Sequence, residues 1–410
     1  MADKMQWANA LSTRPSLEAA VTDVVERAVS SLTAPADLGL VFISSAFASE
    51  YSRLLPLLSE KLSVPVLIGC SGGGVIGTTT EGQTQELEAE AALSLTLAHL
   101  PGVDLEVFHV VSEELPDLDS SPDAWIDLIG VPPSPTPQFI LLCSSFSSGI
   151  NDLLQGLDFA YPGSVTLGGQ ASAGGMSGRT ALFCHDAGGD RLYREGTLGL
   201  ALSGNIAVET IVAQGCRPIG KPLQVTKAER NIILELDEQV PLVVLREVIA
   251  NLSEQERMLA QHSLFVGVAM DGFKLTLQQG DFLIRGILGV DPSAGAIAIG
   301  DRVRPGQRLQ FHLRDAEASA EDLELLLQQY QNQRNAEPAA IAALMFSCVG
   351  RGEGLYGQPN FDSDLFRRYI KDIPVGGFFC GGEIGPIGGS TFLHGYTSVF
   401  GICRALGIGE

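Results

Sequence analysis

The chain has 410 residues, 45% of them hydrophobic and 18% charged, with 48 acidic residues against 26 Lys and Arg for a formal charge of −22. That length supports about two or three domains with real cores. The scattered basic residues exclude a phosphate-neutralising nucleic-acid surface, and the lack of any apolar run near 18 residues excludes a membrane-spanning helix.

The N-terminal MADKMQWANALSTRPSLEAA has no apolar leader segment, so a cytoplasmic location is expected. Ser16 to Leu32 follows with Leu17, Ala20, Val21, Val24, Val25 and Ala28 at helical spacing, and Pro15–Ser16 supplies the start signal. LVFISS at Leu40–Ser45 then reads as a strand. Leu54, Leu55, Leu58 and Leu62 form a helix face, and VLIGCSGGGVIG at Val66–Gly77 runs from an aliphatic strand into glycine pairs, the expected form of a tight turn. A second strand-like run, Leu93–Ala98, closes this unit.

The same order returns twice. Past a short connector holding Pro132, Pro133, Pro135 and Pro137 come ILLCSS at Ile140–Ser145, a helix face at Ile150, Leu153, Leu154 and Leu157, the glycine segment Val165–Gly175 and the run Thr197–Leu202. Near the C-terminus come LMFSCV at Leu344–Val349, a helix face at Phe361, Leu365, Phe366, Tyr369 and Ile370, the glycine-dense Pro374–Thr397 and the run Tyr396–Ile402. The chain therefore contains three diverged strand–helix–strand–strand units.

Between the second and third units the texture changes from about Cys216. Val225–Leu236 is mixed, and Val240–Leu252 reads as a helix with Pro241 in its first turn. Strands are expected at Leu264–Met270, Phe282–Val290, Gly295–Ile299 and Arg308–Leu313, and a helix at Ala316–Gln333. The expected fold is α/β, with two domains, 1–224 and 225–410, and mixed β-sheets built partly from the repeated units, because no helix separates the last two strands of each.

Seven cysteines without a CxxC pair fit neither a disulfide framework nor a zinc cage and read as reduced thiols. Gly69-Cys70-Ser71-Gly72-Gly73 matches the G-x-S-x-G nucleophile elbow, which would make Ser71 a hydrolase nucleophile, but an elbow needs a helix next and Val75–Gln83 is a poor helix former. Gly215–Lys221 resembles a phosphate loop except that Pro222 stands where Ser or Thr must bind Mg²⁺. Gly352–Gly357 matches G-x-G-x-x-G with no helix expected directly after it, so it offers no pyrophosphate cradle.

Cys70 and Cys380 read as equivalent thiols in two units, either inert or with a ligand-contacting or reactive role. Glu383 lies in the densest glycine segment, able to bond local amides or face a ligand amine, and Arg351 closes the strand of the third unit, able to clamp a carboxylate or form a salt bridge. With the backbone amides of Gly381 and Gly382 they make a candidate cradle for a small zwitterion. Ser71, Gly72 and Gly73 form its counterpart in the first unit. His394, after Phe392–Leu393, reads as a structural histidine or a ligand. No complete catalytic constellation is present, and no cofactor is expected.

The segments WANALSTRPSLEAAV, DLGLVFISS, VLIGCSGGGVIG, GINDLLQGLDFAYPGSVTLGGQAS, FLIRGILGVDPSAGAIAIGDRVRPGQ, FHLRDAE and GGFFCGGEIGPIGG with FLHGYT, in this order from Trp7 onward, resemble the FIST family. The resemblance implies FIST N-like and FIST C-like domains forming a sensory module for small ligands, with amino acids the suggested class, and a separate signalling partner protein, since the similar segments occupy nearly all of the chain. Some relatives in that family are described as haem-binding nitric-oxide sensors. For that alternative His394 is the candidate axial ligand.

Overall fold

The computed structural model describes residues 4–145, 147–173, 179–272, 274–277, 280–333 and 339–406. It separates into two compact units, Met1–Val212 with Leu326–Glu410, and Ala213–Leu325. Compactness therefore divides the chain differently from its sequence texture: the third repeat joins the first two, and the second unit is an insertion within that repeat.

The larger unit consists of three copies of one pattern, longer than the sequence suggested. The first copy is β1 (Gln6–Ser12), α1 (Leu17–Ser30), β2 (Leu38–Ser44), α2 (Tyr51–Ser59), β3 (Val66–Gly72), β4 (Gly74–Thr78), β5 (Thr84–Glu88) and β6 (Leu93–His99). The second is β7 (Val103–Val110), α3 (Pro122–Ile129), β8 (Gln138–Cys143), α4 (Ile150–Ala160), β9 (Thr166–Gln170), β10 (Leu182–Asp186), β11 (Gly189–Tyr193) and β12 (Thr197–Gly204). The third starts at β13 (Ala207–Ala213) and is then interrupted.

The interruption holds β14 (Cys216–Glu229), β15 (Ile232–Leu236), α5 (Pro241–Ala250), α6 (Glu254–Ala260), β16 (Leu264–Ala269), β17 (Phe282–Asp291), β18 (Ala296–Ile299) and β19 (Arg308–Arg314). Its strands close into a barrel ordered β14-β15-β18-β17-β16-β19 around Val225, Val266, Ile297, Leu309 and Phe311. Gly215–Lys221 lies mostly on extended β14, so the phosphate-loop resemblance has no loop under it. The third copy resumes with α7 (Ala316–Gln333), which the boundary between the units crosses at Leu325, then β20 (Ala342–Cys348), α8 (Gly352–Tyr356), α9 (Phe361–Tyr369), β21 (Val375–Cys380), β22 (Glu383–Ile387), β23 (Ser390–His394) and β24 (Ser398–Arg404). The short α8 begins at Gly352, where no helix was expected.

The three sheets have one strand order: β1-β6-β2-β3-β10-β11, β7-β12-β8-β9-β22-β23 and β13-β24-β20-β21-β4-β5. In each, a parallel pair crosses over through a helix, and the strand returning at the end of the repeat pairs antiparallel with the first of them. The hairpin between is given to a neighbour. β4–β5 completes the third sheet, β22–β23 the second and β10–β11 the first.

The glycine segments read as turns are largely strands at the parallel pairs. Gly69 lies level with Val41, Gly168 with Leu141 and Gly377 with Met345, and a Cβ at these glycines would stand 1.9, 1.9 and 1.8 Å from the facing carbonyl oxygens. No side chain fits there, so glycine is required by close approach of two backbones. This alignment also corrects one equivalence: Cys380 pairs with Cys348 as Gly72 pairs with Ser44, whereas Cys70, which pairs with Phe42, corresponds to Phe378, which pairs with Phe346. Gly174 and Gly175 of the second segment lie outside the described residues.

The inner faces of the sheets share one core, in which Phe378 stacks on Phe42 at 5.0 Å and meets Phe346 edge-on. Such aromatic pairs contribute about 0.5–1.5 kcal/mol each beyond their burial. Helices cover the outer faces. Leu17, Val21, Leu54 and Leu58 from α1 and α2 pack on the first sheet, Trp125 and Leu154 from α3 and α4 on the second, and Phe366 of α9 stacks on Phe400 of the third.

Candidate functional site

Arg351 and Glu383 do converge, but around the chain's own backbone. Arg351 is fully buried, and its Nε and Nη2 donate to Asp362 Oδ2 and Oδ1 at 2.7 and 2.9 Å while Nη1 donates to Tyr396 O at 3.4 Å. Glu383 Oε2 accepts from the Thr397 N–H at 3.0 Å. The Tyr396 carbonyl and the Thr397 amide are the two ends of one peptide group, presented by a left-handed Tyr396 at φ 62. The guanidinium and carboxyl expected to grip a zwitterion thus hold a peptide plane.

The repeat explains the glutamate. In the first sheet the Ala92 amide donates to Ser44 Oγ at 3.0 Å, and Ser44 N donates to Ala92 O. In the third sheet Cys348 occupies the place of Ser44 and Thr397 that of Ala92, as the Cys348 N–H to Thr397 O bond shows. A thiol is a weak acceptor. Glu383, reaching from β22, supplies the oxygen that Cys348 lacks.

His394 lies directly across from Glu383 in the β22–β23 hairpin, 4% exposed, with Nε2 2.9 Å from Gly385 O. An axial haem ligand needs a ring nitrogen facing a cavity, and this ring is buried beside Phe392 in a paired strand, so the residues around it do not fit that group. The thiols of Cys70 and Cys380 are likewise enclosed. Burial pushes both well above the ordinary thiol range, Cys380 further through Glu383, Cys70, Cys348 and Cys143 nearby, which leaves little thiolate to react.

Ser71 sits within β3 and is fully buried, its Oγ donating to Ser172 O at 3.3 Å and accepting from the Ala181 amide at 3.1 Å. Strand β4 follows it, where an elbow would turn into a helix. Gly73 N donates to Ser172 Oγ at 2.7 Å, Gly381 N donates to Gln170 O at 2.9 Å, and Gly382 O accepts from Gln170 N at 2.7 Å. These groups do come together, since Ser172 Oγ also bonds Phe379 O and a Cβ on Gly73 would lie 3.1 Å from Val349. Gly72 is packed against Phe378, a Cβ there falling 3.1 Å from the Phe378 Cβ. The carboxyl ends of three parallel pairs are knitted to one another by the polar groups proposed for ligand binding.

An open cavity lies elsewhere on the carboxyl edge of the second sheet. Strands β7 and β8 both pair antiparallel with β12 and so run the same way, and beyond their ends a cavity of about 750 Å³ is lined by Ser112, Leu115, Pro116, Asp117, Leu118, Asp119, Ser148, Gly149 and Asp152. The N-terminus of α4 is fixed against the loop after β7: Gly149 N donates to Ser112 Oγ at 3.0 Å, and a Cβ at Gly149 would stand 2.7 Å from Leu115. Glu114 Oε2 turns back to the Val111 amide and shapes the same loop.

Asp117, Asp119 and Asp152 are exposed, and none of the residues lining this cavity is basic. Among the described residues no three His, Cys, Asp or Glu side chains are close enough to hold a metal ion. Spread carboxylates and hydroxyls in a cavity of this size match a small organic cation better than a bare ion. In the sequence these residues are marked only by the acidic run SEELPDLDSSPD from Ser112.

Comparison with known sequences divides the chain elsewhere, between β15 and α5 of the inserted unit. The FIST N domain model matches residues 37–239 and the FIST C domain model residues 241–386. An uncharacterized protein of Mycobacterium tuberculosis is 34% identical over 391 residues, covering 95% of this chain and 97% of its own length. One of Mycobacterium bovis is 33% identical over 388 residues, covering 94% and 95%. Human F-box only protein 22 is 48% identical over 42 residues, 10% of each chain. No helix among the described residues is long and apolar enough to cross a membrane.

Proposed function

Because this chain belongs to the FIST family, whose domains are associated with sensory signal transduction, we propose that it is a ligand-binding sensory protein whose ligand is a small polar molecule carrying an ammonium group, amino acids being the leading class. The observation that carries this reading is the cavity beyond β7 and β8, acidic and hydroxyl-lined, at the strand edge where open α/β sheets commonly place their ligands. Each charge-assisted hydrogen bond to such a ligand contributes roughly 1.5–3 kcal/mol. The occupied state is passed on to a separate partner protein.

A thermal-shift screen tests it, since a ligand of the folded state raises the melting temperature by mass action. Amino acids or small amines should raise it and their N-acetylated counterparts should not. A panel in which neither class shifts melting, or both do equally, would reject the cationic reading.

A further inference from the structure

Strand β5, at the edge of the third sheet, holds the α8–α9 segment through two carboxyl groups. Glu86 Oε1 accepts from the Ser363 amide at 2.7 Å, Glu88 Oε1 accepts from the Glu353 amide at 2.8 Å, and Glu86 N donates to Asn360 Oδ1 at 2.7 Å. Glu86 is 4% exposed, and its Oε2 has no hydrogen-bond partner among the described residues. Facing it are Asp362 beside Ser363 on α9 and Arg351 and Tyr356 at α8, while Glu88 and Glu353 meet each other farther along. Arg367 of α9 reaches Gly82 O at the β4–β5 turn.

Among the described residues one guanidinium serves this enclosure, and Asp362 takes it bidentately, with Tyr356 donating to the same carboxylate at 2.8 Å. A second buried negative charge at Glu86 would stand beside Asp362 and, among the described residues, share the one guanidinium that Asp362 already takes. We propose that Glu86 is carried as the neutral acid and that its ionisation releases the α8–α9 segment from β5, making this edge a proton-controlled latch. Burial first, and the charge of Asp362 second, push its carboxyl up from an ordinary 4.5 to about 8.

The sign follows from linkage. A carboxyl whose closed-state value is raised favours the closed state fully below about 4.5, and that preference is lost progressively as pH rises to about 8, beyond which it is constant. The latch therefore loosens towards alkaline pH. It does not depend on the ligand reading above.

The Ser363 amide reports directly, because Glu86 is its acceptor. Hydrogen exchange read by NMR, with intrinsic exchange divided out, should show its protection falling on the order of fifty-fold between pH 6 and pH 8 and levelling above. Glu86→Gln should flatten that profile, whereas Glu88→Gln should leave it steep. A flat wild-type profile, or one equally steep in Glu86→Gln, would overturn the proposal. Should Glu86→Gln not fold, the infrared carbonyl band of a neutral carboxyl in the wild type, present at pH 6 and gone above pH 9, supports the proposal, and its absence at pH 6 overturns it.

Discussion

The second and third sheets present the same carboxyl edge in opposite states. After β8, the connection to α4 is short, and the exposed Asp117 and Asp119 of the neighbouring loop lie with the exposed Asp152 of α4 around a cavity. After β20, the connection to α9 contains the additional turn α8, and Arg351 fills the edge, paired to Asp362 at zero exposure. Both positions hold charge. A charge buried with its partner is committed to the fold, whereas charges left open around a cavity remain available to a ligand.

The largest effect should come from breaking the closed edge. Asp362→Ala leaves Arg351 buried without its bidentate partner, and the unfolding free energy should fall by about 3–5 kcal/mol in denaturant titration. A loss below about 1 kcal/mol would mean that the Arg351 enclosure is wet and that the two edges are alike.

Next comes the backbone contact that all three sheets share. Gly377→Ala drives a Cβ to within 1.8 Å of Met345 O and should cost roughly 3 kcal/mol, with part of the parallel pair displaced. Gly354→Ala, in α8 with open space around it, should be neutral or stabilising by up to about 1 kcal/mol. Equal effects at the two positions would remove the reason for glycine between paired strands.

Smaller again is the exchange of acceptors between repeats. Glu383→Ala removes the oxygen serving the Thr397 amide and should cost about 1–3 kcal/mol, while Ser44→Ala, its counterpart at Ala92, should cost about 1. Restoring a hydroxyl with Cys348→Ser should recover part of the Glu383→Ala loss. Thermal unfolding of the double variant checks this, and no recovery would contradict the assigned role of Glu383.

Much of this was legible in the sequence, and the failures have physical causes. Periodicity located α1, the helices within each parallel pair and the closing strands β6, β12 and β24, and the repeated order disclosed three units. Local pattern cannot show that β4–β5 leaves its own repeat to complete another sheet, because the partners Ile76 and Gly377 lie about 300 residues apart. Glycine density was read as turns since isolated segments do not reveal a facing backbone, and it is Met345 O that dictates Gly377. The charged pair Arg351 and Glu383 drew attention because their burial is invisible in sequence. Asp117 and Asp119 are distant in sequence from Asp152, and only folding brings the β7 loop to the start of α4.

The central claim is that the open edge of the second sheet binds the ligand and the closed edge of the third does not. Calorimetric titration of the best ammonium-bearing ligand from the thermal screen into wild type, Asp152→Asn and Glu383→Gln tests it most directly. Asp152→Asn should weaken binding by about tenfold or more, equivalent to roughly 1.4 kcal/mol, with its unfolding midpoint unchanged, and Glu383→Gln should bind as wild type does. Unaltered affinity in Asp152→Asn together with lost affinity in a folded Glu383→Gln would contradict the account.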